Sequence, residues 1–198
     1  MNILDKIIAD KYKEVALRKQ LIPVKQLEQS VLFERKSPSL AQALSTSASG
    51  IIAEHKRRSP SKATINHNLN VQDVASGYEQ AGVCGMSVLT DGKYFGGSLD
   101  DLLLARAAAQ LPLLRKEFVI DTYQILEAKA YGADVILLIA AVLTREEIKS
   151  LSEFAKSLGL DVLLEVHNLE ELQKSVMPSL DMLGVNNRNL KTFEVSLE

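Results

Sequence analysis

Six apolar stretches, the first five each followed by a segment with helix punctuation, leave this chain few folds to choose from. They fall at 51–56, 85–91, 113–119, 134–140, 161–167 and 182–187 and are largely β-branched or leucine-rich. Val135-Ile136-Leu137-Leu138-Ile139 is apolar at every position, so both faces of that strand must be buried, as in a parallel sheet covered by helices. Asn70 opens a helix over 71–81 that stops at Gly82. Ser98 opens another, with Asp100 and Asp101 in its first turn, where carboxylates suit the positive helix end. Asp121 opens a third, closed by Gly132. Thr144 with Glu147 is a capping box for a helix ending near Gly159, and Asn168 with Glu171 repeats the device before Pro178. Each strand-plus-helix unit takes roughly 30 residues, the size of a βαβ unit.

Two architectures meet these demands: an open doubly wound sheet and a (β/α)8 TIM barrel. The first strand is not followed by the Gly-x-Gly-x-x-Gly turn of the dinucleotide-binding sheet. The 92–98 loop, GKYFGGS, has glycines at other spacings and reads as a flexible loop. Polar residues close several different strands, the barrel's way of building one site from many strand ends. The barrel is therefore expected. Ahead of it, Ile3, Leu4, Ile7, Ile8, Tyr12 and Val15 recur at helical spacing behind an Asn2 cap, with shorter helices expected over 24–32 and 39–44. The expectation is one domain over 1–198. Residues 1–49 form an N-terminal helical extension and 50–198 about six β/α units. Since a full barrel takes about 250 residues, the last two units are expected to lie outside this chain.

Charge excludes some classes. A net charge of -2 gives no field for nucleic acid or an anionic membrane surface. The longest apolar run, 135–143, is far short of the roughly 20 residues a membrane-spanning helix needs. The N-terminus is charged throughout, unlike a signal peptide, so a cytoplasmic protein is expected. The single cysteine, Cys84, reads as a small buried residue before a strand. His55, His67 and His167 are scattered and read as structural, so no metal site is expected. The basic run KRRSPSK lacks the interleaved aromatics of a nucleic-acid patch. The sequence carries no signature that fixes an oligomeric state.

The chemistry gathers at the strand ends, above all within 50–63, GIIAEHKRRSPSKA. Strand side chains alternate, so Glu54 and Lys56 point one way and His55 the other. Lys116 and Phe118 share a direction at the end of the third strand, with Glu117 facing outward between them. Glu165 lies near the end of the fifth strand, and Asn186 and Arg188 near the end of the sixth. Together these residues suit an anionic substrate and proton transfer. A lysine near other cations in a partly dry pocket has a depressed pKa and can act as a general acid. Glu165 supplies an acid/base carboxylate, and Lys56 and Arg188 can hold carboxylate or phosphate.

The blocks EHKRRSPSKA, SVLTDGKYFGGSLDDL, LLRKEFVIDTYQILEAKAYGADVILLIAA, LLEVHN and LGVNNRNLKTFEVSLE closely resemble the indole-3-glycerol phosphate synthase family. The resemblance implies a (β/α)8 barrel with an N-terminal helical segment covering the active site. It also implies a cofactor-free carboxy-lyase of tryptophan biosynthesis. Its substrate would be a phosphosugar-anthranilate, 1-(2-carboxyphenylamino)-1-deoxyribulose 5-phosphate, which it converts to indole-3-glycerol phosphate with loss of carbon dioxide and water. Position by position, it makes Lys116 the general acid of ring closure. Glu165 becomes the acid/base carboxylate, and Lys56 a contact to the substrate's anionic groups. Glu54 becomes a carboxylate near the ring nitrogen, and Asn186 and Arg188 residues that orient the substrate. Ser59 and Pro60 fall in the mobile loop after the first strand, and Phe118 in the wall around the anthranilate ring. The family's phosphate-binding Ser-Gly and Gly-Ser pairs belong to strands 7 and 8, and this chain has neither. Ala63 replaces a loop glycine and is expected to stiffen the loop. His55 stands where an aliphatic residue is commoner. Two other readings remain at this point: a Schiff-base aldolase with Lys116 as nucleophile, and a catalytically inactive (β/α)6 fragment with two open sheet edges.

Overall fold

The computed structural model describes residues 2–187. Arg188, one of the expected substrate-binding residues, lies outside them. Six strands, β1 (Ile52–His55), β2 (Gly85–Leu89), β3 (Leu113–Lys116), β4 (Val135–Ile139), β5 (Asp161–Val166) and β6 (Met182–Val185), pair in parallel in sequence order. The sheet curls into part of a barrel. Every strand stops short of its apolar run at the C-terminal end, and β1 and β4 also start one residue late.

Helices separate the strands. They are α4 (Val71–Gln80), α5 (Gly92–Phe95), α6 (Leu99–Ala108), α7 (Thr122–Ala130), α8 (Arg145–Ser157) and α9 (Leu169–Ser175). The caps fall where the sequence places them: Asn70, Ser98, Asp121, Thr144 and Asn168 each accept from a first-turn backbone N–H. Alternating side chains divide the interior in two. Met86, Val88, Leu113, Ile136, Leu138, Val162 and Leu164 face outward and pack under the helices. Leu114, Val135, Leu137 and Ile139 face inward. Each such leucine taken fully out of water is worth about 1.5–3 kcal/mol. Burial of β4 on both faces explains its unbroken apolar run.

The N-terminal segment wraps this body with α1 (Ile3–Leu21), α2 (Val24–Glu28) and α3 (Leu40–Thr46). The expected second helix is only one turn of α-helix, followed by turns to Glu34. Leu40 is fully buried against the inward cluster at the N-terminal end of the sheet, where Gly85 leaves room for it. A Cβ on Gly85 would stand 2.6 Å from Leu40 Cδ1. Val15 and Leu27 pack on Tyr123, Leu126 and Ala130 of α7. The Tyr123 hydroxyl donates to the Arg18 and Ile22 carbonyls and closes the C-terminus of α1.

Segment 92–98, expected to be a flexible loop, instead contains the single turn α5. Asp91 caps it through Tyr94 N and Phe95 N, and Gly96 ends it at φ 69°. Gly97 lies so close to β2 that a Cβ there would fall 1.9 Å from the Leu89 carbonyl oxygen. The glycines serve tight geometry in this segment.

Candidate active site

Eight of the nine expected site residues line one pocket at the C-terminal ends of the strands: Glu54, Lys56, Ser59, Pro60, Lys116, Phe118, Glu165 and Asn186. Parallel registry brings them together. Glu54 lies beside Ser87, Lys116 beside Leu89, and Glu165 between Ile139 and Gly184. Leu137 and Ile139 form the apolar floor, while Ile3, Leu4 and Ile7 of α1 line it from above.

Its polar groups form two pairs. Lys116 Nζ stands 3.1 Å from Glu165 Oε2, and Asn186 Nδ2 donates to Glu165 Oε1 at 3.1 Å. Lys56 Nζ stands 2.7 Å from Glu54 Oε1, and Ser87 Oγ donates to Glu54 Oε2 at 3.2 Å. The sequence suggests lysines activated by neighbouring cations, but each lysine instead faces a carboxylate. Burial alone would raise the Glu165 carboxyl. The Lys116 ammonium and the Asn186 amide outweigh burial, with His167 adding to them, and hold it below the usual carboxylate value. It is therefore an ionised base with a proton donor 3.1 Å away. Phe118 meets Phe95 of α5 at 6.0 Å between centroids, giving an aromatic wall for a planar ring.

Three neighbours escape the sequence reading. Glu117 does point away from Lys116, but the direction called outward is covered by α1. Its carboxylate is buried 3.1 Å from Lys11 Nζ and accepts from Thr90 Oγ1 and Phe118 N. Lys11 also meets Asp91 at 3.0 Å, which pins α1 over the pocket. The only sequence signal was a lysine on the apolar stripe Ile3–Ile7–Val15. His167, read as structural, sits 3.5 Å from Glu165 Oε1. His55 faces away from the pocket, as alternation requires, and is buried. Cys84 is buried immediately before β2.

Two arginines of the basic run are engaged within the chain. Arg57 binds Asp101 through both terminal nitrogens, with Nη2 at 2.8 Å, and Arg58 donates to the Gly92 and Lys93 carbonyls. They tie the β1–α4 loop to α5 and α6. Among the described residues, no cluster of three or more His, Cys, Asp or Glu could hold a metal ion, and no helix is long and apolar enough to cross a membrane.

The sequence has counterparts among known proteins. The family model for indole-3-glycerol phosphate synthase matches residues 4–198. The chain belongs to the indole-3-glycerol phosphate synthase family. The indole-3-glycerol phosphate synthase of Bacteroides thetaiotaomicron is 48% identical over 197 residues, covering all of this chain and 75% of that protein. Those of Dechloromonas aromatica and Polynucleobacter asymbioticus are 45% and 46% identical, again over the whole chain and 77% of each relative. Family membership makes the chain an enzyme of the carboxy-lyase class in tryptophan biosynthesis, and its six parallel strands are the family's barrel units. It favours neither the aldolase reading nor the inactive-fragment reading.

Proposed function

We propose that this pocket binds 1-(2-carboxyphenylamino)-1-deoxyribulose 5-phosphate and closes it to indole-3-glycerol phosphate with the residues named above. The Lys116–Glu165 pair carries the reading, because it places a proton donor and an ionised base side by side under an aromatic wall. Lys116 gives a proton to the substrate carbonyl oxygen as the ring carbon attacks. The carboxylate then leaves as carbon dioxide, and its bonding electrons restore the aromatic ring. Glu165 removes a proton from the methylene carbon beside nitrogen and gives a proton to the new hydroxyl, which departs as water and leaves the indole double bond. One proton is taken up from solvent per turnover, because a carboxylate leaves as a neutral molecule.

Glu54 faces the cationic character that develops at the ring nitrogen, a charge a fixed carboxylate stabilises in a water-poor site. Lys56 and Asn186 bind the substrate's anionic and hydroxyl groups, and Arg188 is assigned with them. Ser59 and Pro60 close the loop side of the pocket, and Phe118 stacks on the anthranilate ring. The substrate is a small molecule; cytoplasmic localisation fits a biosynthetic enzyme. Steady-state assays of Lys116→Ala and Glu165→Gln test the assignment. Each is expected to lower kcat by about 10²–10⁴, the contribution of a positioned proton-transfer group. Near-normal turnover in either variant would overturn that residue's role.

A further inference from the structure

Glu165 has a neighbour that this mechanism does not yet use. His167 follows it by two residues at the end of β5, which brings both side chains to one face. Its Nε2 stands 3.5 Å from Glu165 Oε1, its Nδ1 3.2 Å from Glu171 Oε2, and the side chain is only 9% exposed. Glu171 is fixed in the first turn of α9. It accepts from His167 N at 2.8 Å and from Asn168 Nδ2 at 3.0 Å. An ionised carboxylate can only accept, so Nδ1 is the donor to Glu171, and Nε2 is the atom presented to Glu165. That Nε2 is buried and makes no hydrogen bond among the described residues. In a neutral ring it would turn a lone pair toward a carboxylate oxygen, an arrangement that a proton on either atom relieves.

We infer that His167 is a positioning residue for Glu165, and that its Nε2 is a second seat for the proton Glu165 takes and gives. The inference rests on the acid/base reading of Glu165 and deepens it. The groups around the pair have separate tasks. Lys116 of β3 holds Oε2, the Asn186 amide beside β6 donates to Oε1, and Glu171 of α9 fixes the far side of the imidazole. A proton taken from the substrate carbon passes from Glu165 Oε1 to Nε2, and returns by the same path. No bond other than to hydrogen changes, and no electrons are gained or lost. The base is thus restored while substrate still occupies the pocket.

The test is the pH dependence of kcat and KM for the wild type, His167→Ala and His167→Asn, with Glu165→Gln alongside. Asparagine can donate a hydrogen bond but cannot take up a proton. Both His167 variants are expected to keep KM within about twofold and to lose roughly tenfold in kcat, less than loss of the proton-transfer group itself. A proton seat on Nε2 makes Glu165 and His167 titrate as a coupled pair, so in both variants the acidic limb of the kcat profile should change shape, from two coupled ionisations to one. A purely structural role would instead change KM and thermal stability and leave the limb in place. Should either variant lose its circular dichroism, His167→Gln, which keeps a donor, replaces it. Unchanged kcat and limb in folded His167 variants, with Glu165→Gln inactive, would overturn the inference. An active Glu165→Gln would overturn the underlying acid/base reading.

Discussion

Replacing Lys11 with methionine should loosen α1 from the barrel and cost far more than one surface charge. The ammonium is 2% exposed and lies 3.0 Å from Asp91, 3.1 Å from Glu117 and 2.7 Å from Glu14. Burial alone would lower its pKa, but Glu117, Asp91 and Glu14 outweigh that and raise it above the ordinary lysine value. Methionine matches the stem and removes only the charge. Stripping one partner from a buried ion pair costs about 3–5 kcal/mol, because the remaining charge is left in low dielectric. Here the carboxylates keep other partners. Glu117 retains Thr90 and Phe118 N, and Asp91 retains the first turn of α5. The expected loss is therefore at the lower end, about 3 kcal/mol, or a fall in Tm of about 6–12 °C at this chain length. Urea and thermal unfolding measure it. Adding Glu117→Gln in the Lys11→Met background should recover at least ~1 kcal/mol, since a neutral amide no longer needs the ammonium. A loss below ~1 kcal/mol for Lys11→Met, or no recovery in the double variant, would refute the reasoning.

Gly97→Ala forces a methyl into the Leu89 carbonyl and should cost about 1–3 kcal/mol by overpacking. Because Leu89 lines the pocket, kcat should fall as well, which thermal unfolding and a steady-state assay would register together. Lys19→Ala removes a half-exposed pair with Asp121 and should change stability by no more than ~1 kcal/mol. A larger change would show that α1 depends on its surface charges. The Glu165 carboxyl is held low, so the base stays ionised below the usual carboxylate range, and the acidic limb of the wild-type kcat profile should lie there. Its contribution to stability has the same sign: present at neutral pH and lost as pH falls through the folded value. Glu117, which burial alone would raise, is held low by Lys11 and Arg115, so its contribution is lost in the same direction.

Much of the fold is legible in the chain because the physics is local. The unbroken apolar run at 135–139 demands burial on both faces, and the caps at Asn70, Ser98, Asp121, Thr144 and Asn168 need only their own first turns. The alternation of Glu54 against His55, and of Lys116 against Glu117, sorts pocket from exterior without any tertiary knowledge. What escapes that reasoning depends on how separate elements meet. Glu117 points outward yet is buried, because α1 crosses from more than a hundred residues away and brings Lys11. The glycines of 92–98 read as freedom, but the close approach of Gly97 to Leu89 makes them a constraint. His167 reads as scattered because its second carboxylate, Glu171, comes from the capping of the next helix.

The central claim is that Lys116 acts as an acid and forms no covalent bond to the substrate. Borohydride reduction during turnover, followed by intact-mass analysis and product assay, tests it most directly. The account predicts that indole-3-glycerol phosphate accumulates with equimolar carbon dioxide while the protein's mass stays unchanged. A reduced substrate adduct mapped to Lys116 would contradict it.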